Sequence, residues 1–231
     1  MEPASERIDF QNVLVKKPWG HEYLVFDNGL VSIWCLFIRH GAQTSMHCHP
    51  TKKTAIILLS GEATVSFLND SRTFRSLSKL MVREGLFHST AAVSKEGIIL
   101  LETETPSNKT DLVRLEDEYG RQEKPYEGSE AVTPLGEDCI RLEAPREGEV
   151  RRTRLGDCTL SMEMVSEASG LLERPPGEVI VVLQGGLFSR TGDPVLSIGD
   201  VVSSETVSRL AKTFHAPQGV SFLAVHREPL R

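Results

Sequence analysis

The sequence is poor in aromatic residues, 6% in all with two tryptophans, and holds only four cysteines in 231 residues. Cys35, Cys48, Cys139 and Cys158 form no C-x-x-C pair, so they read as small buried thiols rather than a disulfide scaffold or a zinc ribbon. Long apolar runs are lacking. Residues 55–59 are among the longest, far short of the roughly 20 residues that a membrane-spanning helix needs. A basic excess is lacking too: 26 Lys and Arg face 32 Asp and Glu, a formal net charge of −6, which argues against nucleic acid or a membrane surface as partner. No G-x-G-x-x-G, Walker A, G-x-S-x-G or H-E-x-x-H spacing occurs, so dinucleotide redox chemistry, nucleotide hydrolysis and serine hydrolysis have no support. The opening residues, MEPASERIDF, mix charges of both signs without an apolar core. No secretory or organellar targeting pattern is read there, and a cytoplasmic location is expected. The sequons at Asn69 and Asn108 then read as chance matches.

What is present is an ordinary globular composition, 39% hydrophobic and 25% charged, in a chain long enough to bury a core. The apolar residues fall in short strand-like runs: 30–38, 55–59, 63–68, 98–101, 179–183 and 220–225. Turn signals separate them, among them Asp27-Asn28-Gly29, Ser60-Gly61, Glu96-Gly97 and Gly185-Gly186. This pattern predicts an all-β barrel or sandwich. Residues 107–150 differ, being dense in charge, Gly and Pro. Thr110 or Asp111 is placed to cap a short helix through Leu112, Val113 and Leu115, ended by Gly120. The flanks repeat one order of apolar runs and glycines at a separation of more than a hundred residues, too long for a solenoid. The chain therefore divides into a β domain at 1–106, a charged connector at 107–150 and a second β domain at 151–231.

The chemistry is concentrated in the first flank. Gly41 is followed by His47, Cys48 and His49, and Gly85 by His88. Residues two apart on a strand share a face, so His47 and His49 project together and Cys48 projects away. A third histidine from a neighbouring strand, His88, completes a metal-binding face. Imidazole suits Zn, Fe, Ni and Cu. Three protein ligands leave positions open for water or substrate, which is the catalytic arrangement.

These residues resemble the cupin superfamily, whose motifs read G-x5-H-x-H-x3,4-E-x6-G and G-x5-P-x-G-x2-H-x3-N. The first is matched by Gly41, His47, His49, Lys53 and Gly61, with the last gap one residue longer than the pattern. The second is matched by Gly85 and His88, with Arg83 for Pro and Ala92 for Asn. The resemblance implies two tandem double-stranded β-helix (jelly-roll) barrels, a divalent metal (Zn, Fe, Mn or Ni) in the first, and a homodimer. Lys53 at the motif's Glu position departs from the four-ligand pattern. The second barrel, with Pro176, Glu178 and Val202 at the ligand positions, has no ligand set, and His215 reads as a surface or core residue.

A shorter segment, Lys17-Pro18-Trp19-Gly20-His21-Glu22-Tyr23, is similar to the one that opens the type II mannose-6-phosphate isomerase cupins. It implies a sugar or sugar-phosphate ligand, with Lys17, Trp19 and Glu22 as binding residues. Trp19 equally suits a plug at the barrel base. In the connector, Lys109, Arg114 and Arg121 can pair with a ligand anion, or form a solvated face with pairs such as Arg114 with Glu118. The function expected is a metal-dependent isomerase or epimerase, with Lys53, Glu62, His40 and Glu22 as proton-moving groups. The alternatives are a three-His Fe(II) dioxygenase and a non-catalytic carbohydrate-binding protein.

Overall fold

The computed structural model describes residues 9–124 and 126–227. The opening residues 1–8, read above for targeting, lie outside the described residues. The first flank is built from β1 (Val13–Lys17), β2 (Gly20–Asp27), β3 (Ser32–Ile38), β4 (Met46–Cys48), β5 (Lys53–Ser60), β6 (Glu62–Phe67), β7 (Ser71–Arg75), β8 (Lys79–Val82), β9 (His88–Ala92) and β10 (Ile98–Thr105). The middle stretch adds β11 (Val113–Glu116) and β12 (Val132–Pro134). The second flank holds β13 (Arg151–Leu155), β14 (Cys158–Val165), β15 (Val179–Gly185), β16 (Leu187–Phe188), β17 (Pro194–Leu196), β18 (Val201–Ser203), α1 (Ser204–Ala211) and β19 (Val220–Arg227).

The protein is all-β, with one α-helix among the described residues. A seven-stranded sheet in the order β12-β1-β2-β3-β10-β5-β8 faces a five-stranded sheet, β11-β4-β9-β6-β7. A second five-stranded sheet, β13-β14-β19-β15-β18, and a two-stranded sheet, β16-β17, form the rest. All the pairings between these strands are antiparallel.

Strands β5 and β10 lie at the centre of the molecule, and their sequences show why. An antiparallel strand with one wet face alternates apolar and polar residues, whereas one covered on both faces is apolar throughout. In β5, Ile56 and Leu58 point into the first sandwich with Trp19, Trp34, Val65 and Leu100. Ala55, Ile57 and Leu59 point the other way, into a core shared with Leu160, Met162, Val181, Leu183 and Leu223 of the second flank. The seven-stranded sheet thus separates two cores. A third core lies beyond the second five-stranded sheet, where Ile180, Val182 and Phe222 meet Leu187, Leu196 and Val207. The second unit is therefore closed on its far side by the small β16–β17 sheet and α1 rather than by a second large sheet.

The helix expected near Leu112 is absent. Val113–Glu116 form β11 instead, pairing with β4 in the register Val113↔Cys48 and Arg114↔His47. Alternate residues of β11 suit an edge strand, with Val113 and Leu115 exposed and Arg114 turned inward. Asp111 caps a turn rather than a helix, its carboxylate accepting from the backbone N–H of Thr51 and Lys52. Tertiary pairing overrode the local capping signal. The stretch 107–150 also supplies β12, which pairs with β1. It thus adds a strand to each sheet of the first unit. The helix that does form, α1, begins at Ser203, whose hydroxyl accepts from Thr206 N–H. Among the described residues no helix is long and apolar enough to cross a membrane.

Candidate metal centre and its cavity

His47 lies in β4 and His49 one residue past its end, while His88 opens β9, directly opposite His47 in the ladder. Register alone therefore brings the three imidazoles together. One ligand nitrogen from each lies within 4.8 Å of the others, and all three residues are buried. Each ring is held from behind by a main-chain carbonyl: His47 Nδ1 by Ser45 O at 2.8 Å, His49 Nδ1 by Asp111 O at 2.7 Å and His88 Nδ1 by Leu86 O at 3.0 Å. A carbonyl can only accept, so Nδ1 carries the proton and Nε2 offers its lone pair toward the centre. Burial is the main cause that lowers all three pKa values, to about 3 for His49, to about 4 for His88 and well below the ordinary value for His47. The imidazoles are neutral at physiological pH, as ligands must be. His49 Nε2 is buried and has no hydrogen-bond partner. An orphaned acceptor within a set of three fits a divalent transition ion.

The centre opens on a cavity of about 50 Å³ lined by Lys17, Trp19, Glu22, His47, His49 and Arg114, among others. The four residues expected to bind substrate thus meet two of the expected ligands in one place. Trp19 fills both roles weighed for it, lining the cavity and packing in the core of the first sandwich.

Three side chains expected to move protons do not reach this cavity. Lys53 and Thr54 point to opposite faces of β5, and it is Lys53 that leaves the sandwich. Its ammonium pairs with Asp200 of the second unit at 2.8 Å. The four-residue form of the motif gap falls on Thr54, and Gly61 then follows at the stated spacing. Thr54 is buried on the inner face, its hydroxyl without a partner. Glu62 is paired with Arg75 at 3.0 Å near the surface. His40 is exposed, its Nδ1 3.1 Å from the carbonyls of Val93 and Ser94. His215 sits in an isolated bridge with Phe188, away from the centre.

The cavity holds a charge network that sequence reading left out. Lys52, buried, pairs with Glu104 at 2.9 Å. Lys109 pairs with Glu104 at 3.2 Å and Glu22 at 3.3 Å, and lies 3.9 Å from the centre of the Trp34 ring. Lys17 reaches Glu22 at 3.2 Å, pairs closely with Glu127, and lies 3.7 Å from the centre of the Tyr126 ring. The Tyr126 hydroxyl donates to Glu22. Burial raises the Glu22 pKa, but Lys109 and Lys17 outweigh it and bring the group down to about 2. The solvated face considered for Lys109, Arg114 and Arg121 is not formed: all three point into the cavity. Arg114 meets Glu127 and the Lys124 carbonyl rather than Glu118. Glu102 and Glu104 had a signal in the sequence. They stand two apart at the end of a buried strand, where period-two alternation puts both on the histidine side. Tyr126 and Glu127 had none, since they come from an irregular segment folded back over the mouth.

No protein-family model matches the chain, and no curated protein does. Among solved structures, the neighbours are of the double-stranded β-helix, or cupin, type. KdgF from Halomonas sp. is 14% identical over 40% of this chain and 84% of that one, with a TM-score of 0.38. A conserved protein with a double-stranded β-helix domain from Klebsiella pneumoniae is 15% identical over 48% and 90%, with a TM-score of 0.39. The capsular polysaccharide assembling protein CapF from Staphylococcus aureus is 16% identical over 45% and 34%, with a TM-score of 0.40.

Proposed function

We propose that the protein is a metal-dependent enzyme that moves a proton on a small sugar or sugar phosphate, an isomerase or epimerase. The observation that carries this reading is that a cluster of three neutral imidazoles opens, through His47 and His49, on a cavity shared with Lys17, Glu22, Lys109 and Tyr126. Residues 1–106, completed by β11 and β12, are the unit we assign to the chemistry; 151–231 is assigned to its support, and the location to the cytoplasm. A divalent ion held by His47, His49 and His88 would supply Lewis acidity and a template for substrate oxygens.

The remaining roles fall to this chain's own groups. Glu22, brought down to about 2, is too weak a base for work near neutrality. Tyr126 is raised well above its ordinary value, chiefly by burial, and stays a hydrogen-bond donor. Lys109 is raised because Glu104 and Glu22 outweigh its burial, so it stays cationic and suits an anionic substrate group. Lys17 is lowered, since burial outweighs the attraction of Glu22 and Glu127. Its shift runs opposite to that of Lys109, so of the two it is the lysine we assign to proton transfer, from its place beside Glu22 and Glu127. Trp19 offers an apolar face to a sugar ring.

A specific observation favours a second reading, a three-His oxygenase acting on a smaller molecule. A cavity of about 50 Å³ holds roughly four water molecules, so a sugar enters only if the segment carrying Arg121 and Tyr126 swings outward. Elemental analysis, followed by NMR of candidate sugars and sugar phosphates in heavy water, separates the two. Deuterium appearing beside a carbonyl, and lost with metal in His49→Ala, supports the isomerase reading. Oxygen uptake that requires Fe(II), with no exchange, replaces it. A sugar bound by metal-free protein without either reaction leaves only the binding function.

A further inference from the structure

We propose that Glu102 is a fourth ligand of this centre, a carboxylate supplied by β10. The proposal rests on the reading of His47, His49 and His88 as a metal site. Glu102 Oε1 lies 4.0 Å from His49 Nε2. With the ring proton held on Nδ1 against the Asp111 carbonyl, Nε2 presents a lone pair to a carboxylate oxygen that also presents one. The gap is too long for a hydrogen bond from a protonated carboxyl. Two acceptors facing each other inside a protein call for a cation between them.

The protein's own cations do not fill that place. Glu104, on the same face of β10, takes Lys52 and Lys109, and Glu22 takes Lys17 and Lys109. Among the described residues, no Lys or Arg nitrogen lies within 4.0 Å of the Glu102 carboxylate. Its backbone is fixed, because β10 is flanked by β3 and β5, with Glu102 opposite Trp34 on one side and Ile56 on the other. A ligand on a central strand is placed without any loop having to order. One carboxylate beside three imidazoles also widens the range of ions, since oxygen donors suit Mn(II) and imidazole suits Fe(II).

Metal-stripped full-length protein, titrated calorimetrically with Mn(II) and Zn(II), tests this, with the visible spectrum of the Co(II) form as a second readout. Glu102→Gln preserves shape and removes the anionic donor. It should weaken binding by about 100-fold, the upper end for losing even an outer partner of a ligand, and shift the Co(II) bands. Glu102→Asp keeps the charge and withdraws the oxygen by one methylene. It should also bind more weakly, and it decides the question alone if Glu102→Gln does not fold by circular dichroism. Unchanged affinity and spectrum in Glu102→Gln would overturn the proposal. So would wild-type affinity in Glu102→Asp, which would reduce Glu102 to a contributor of charge. Wild-type protein that binds none of these ions would instead refute the histidine centre itself.

Discussion

Strand parity decides the role of individual residues here. Lys53 and Lys17 look alike in sequence, yet one faces the second unit and the other lines the cavity. Lys17→Met should abolish turnover and leave the metal content unchanged. Lys53→Ala should change neither, and should cost at most about 1 kcal/mol, the worth of a part-exposed ion pair. Elemental analysis and steady-state kinetics on the two variants check this; lost turnover in Lys53→Ala alone would reverse the assignment. Glu22 makes stability depend on pH. Its folded pKa of about 2 lies below the ordinary 4.5, so its contribution is full above the ordinary value and is lost as pH falls through about 2. The sum is on the order of 3 kcal/mol. Urea unfolding between pH 5 and pH 2 should show this decline, and Glu22→Gln should flatten it.

At the scale of elements, residues 117–124 and 126–128 form a strap over the cavity, pinned by charge in addition to the packing of Tyr119 on the first core and of Tyr126 on Phe10. Arg121 joins Asp117 at 2.7 Å and Glu127 at 2.6 Å, and Glu127 in turn reaches Lys17. The strap is not part of a ladder, so removing Arg121 should free it without disturbing the sheets. In Arg121→Ala, amide hydrogen exchange within 117–124 and 126–128 should rise at least several-fold while β5 and β10 stay protected. Equal protection in the variant would mean that other contacts hold the strap. A different kind of contact joins the two units: a Cβ placed on Gly199, whose φ is +79°, would lie 2.0 Å from the Thr105 hydroxyl. The loop before β18 can approach the end of β10 only because that residue has no side chain.

For the whole molecule, the largest consequence is the core between the seven-stranded sheet and β14, β15 and β19. Ile57 and Leu101 of the first flank share it with Leu160 and Leu223 of the second. Leu223→Ala should cost about 2–5 kcal/mol. Both tryptophans, Trp19 and Trp34, lie in the first flank, so their fluorescence reports on the unit that does not carry the substitution. Fluorescence and far-ultraviolet circular dichroism should shift together to a lower midpoint; an unmoved fluorescence midpoint would show that the units unfold independently. We also expect a homodimer, since sheet edges such as β7 and β11 are exposed. A monomer by light scattering at micromolar concentration would exclude it.

The all-β class was legible in the sequence, through short apolar runs broken by glycine turns. So was the pairing of His47 with His49, which share a face at a spacing of two. Local spacing is enough for both, as each depends on geometry that repeats every second residue. Packing set the rest, beginning with His88, which the register of β9 against β4 brings opposite His47. Residues 113–116 became an edge strand rather than a helix because β4 offered an unpaired edge. Lys53 left the site because the turn after His49 resets parity before β5 begins. Lys52, Glu104 and Tyr126 reached the cavity from separate segments, with Glu127 paired to its lysine and arginines, and pairings between groups distant in sequence depend on how sheets stack, which no single segment encodes.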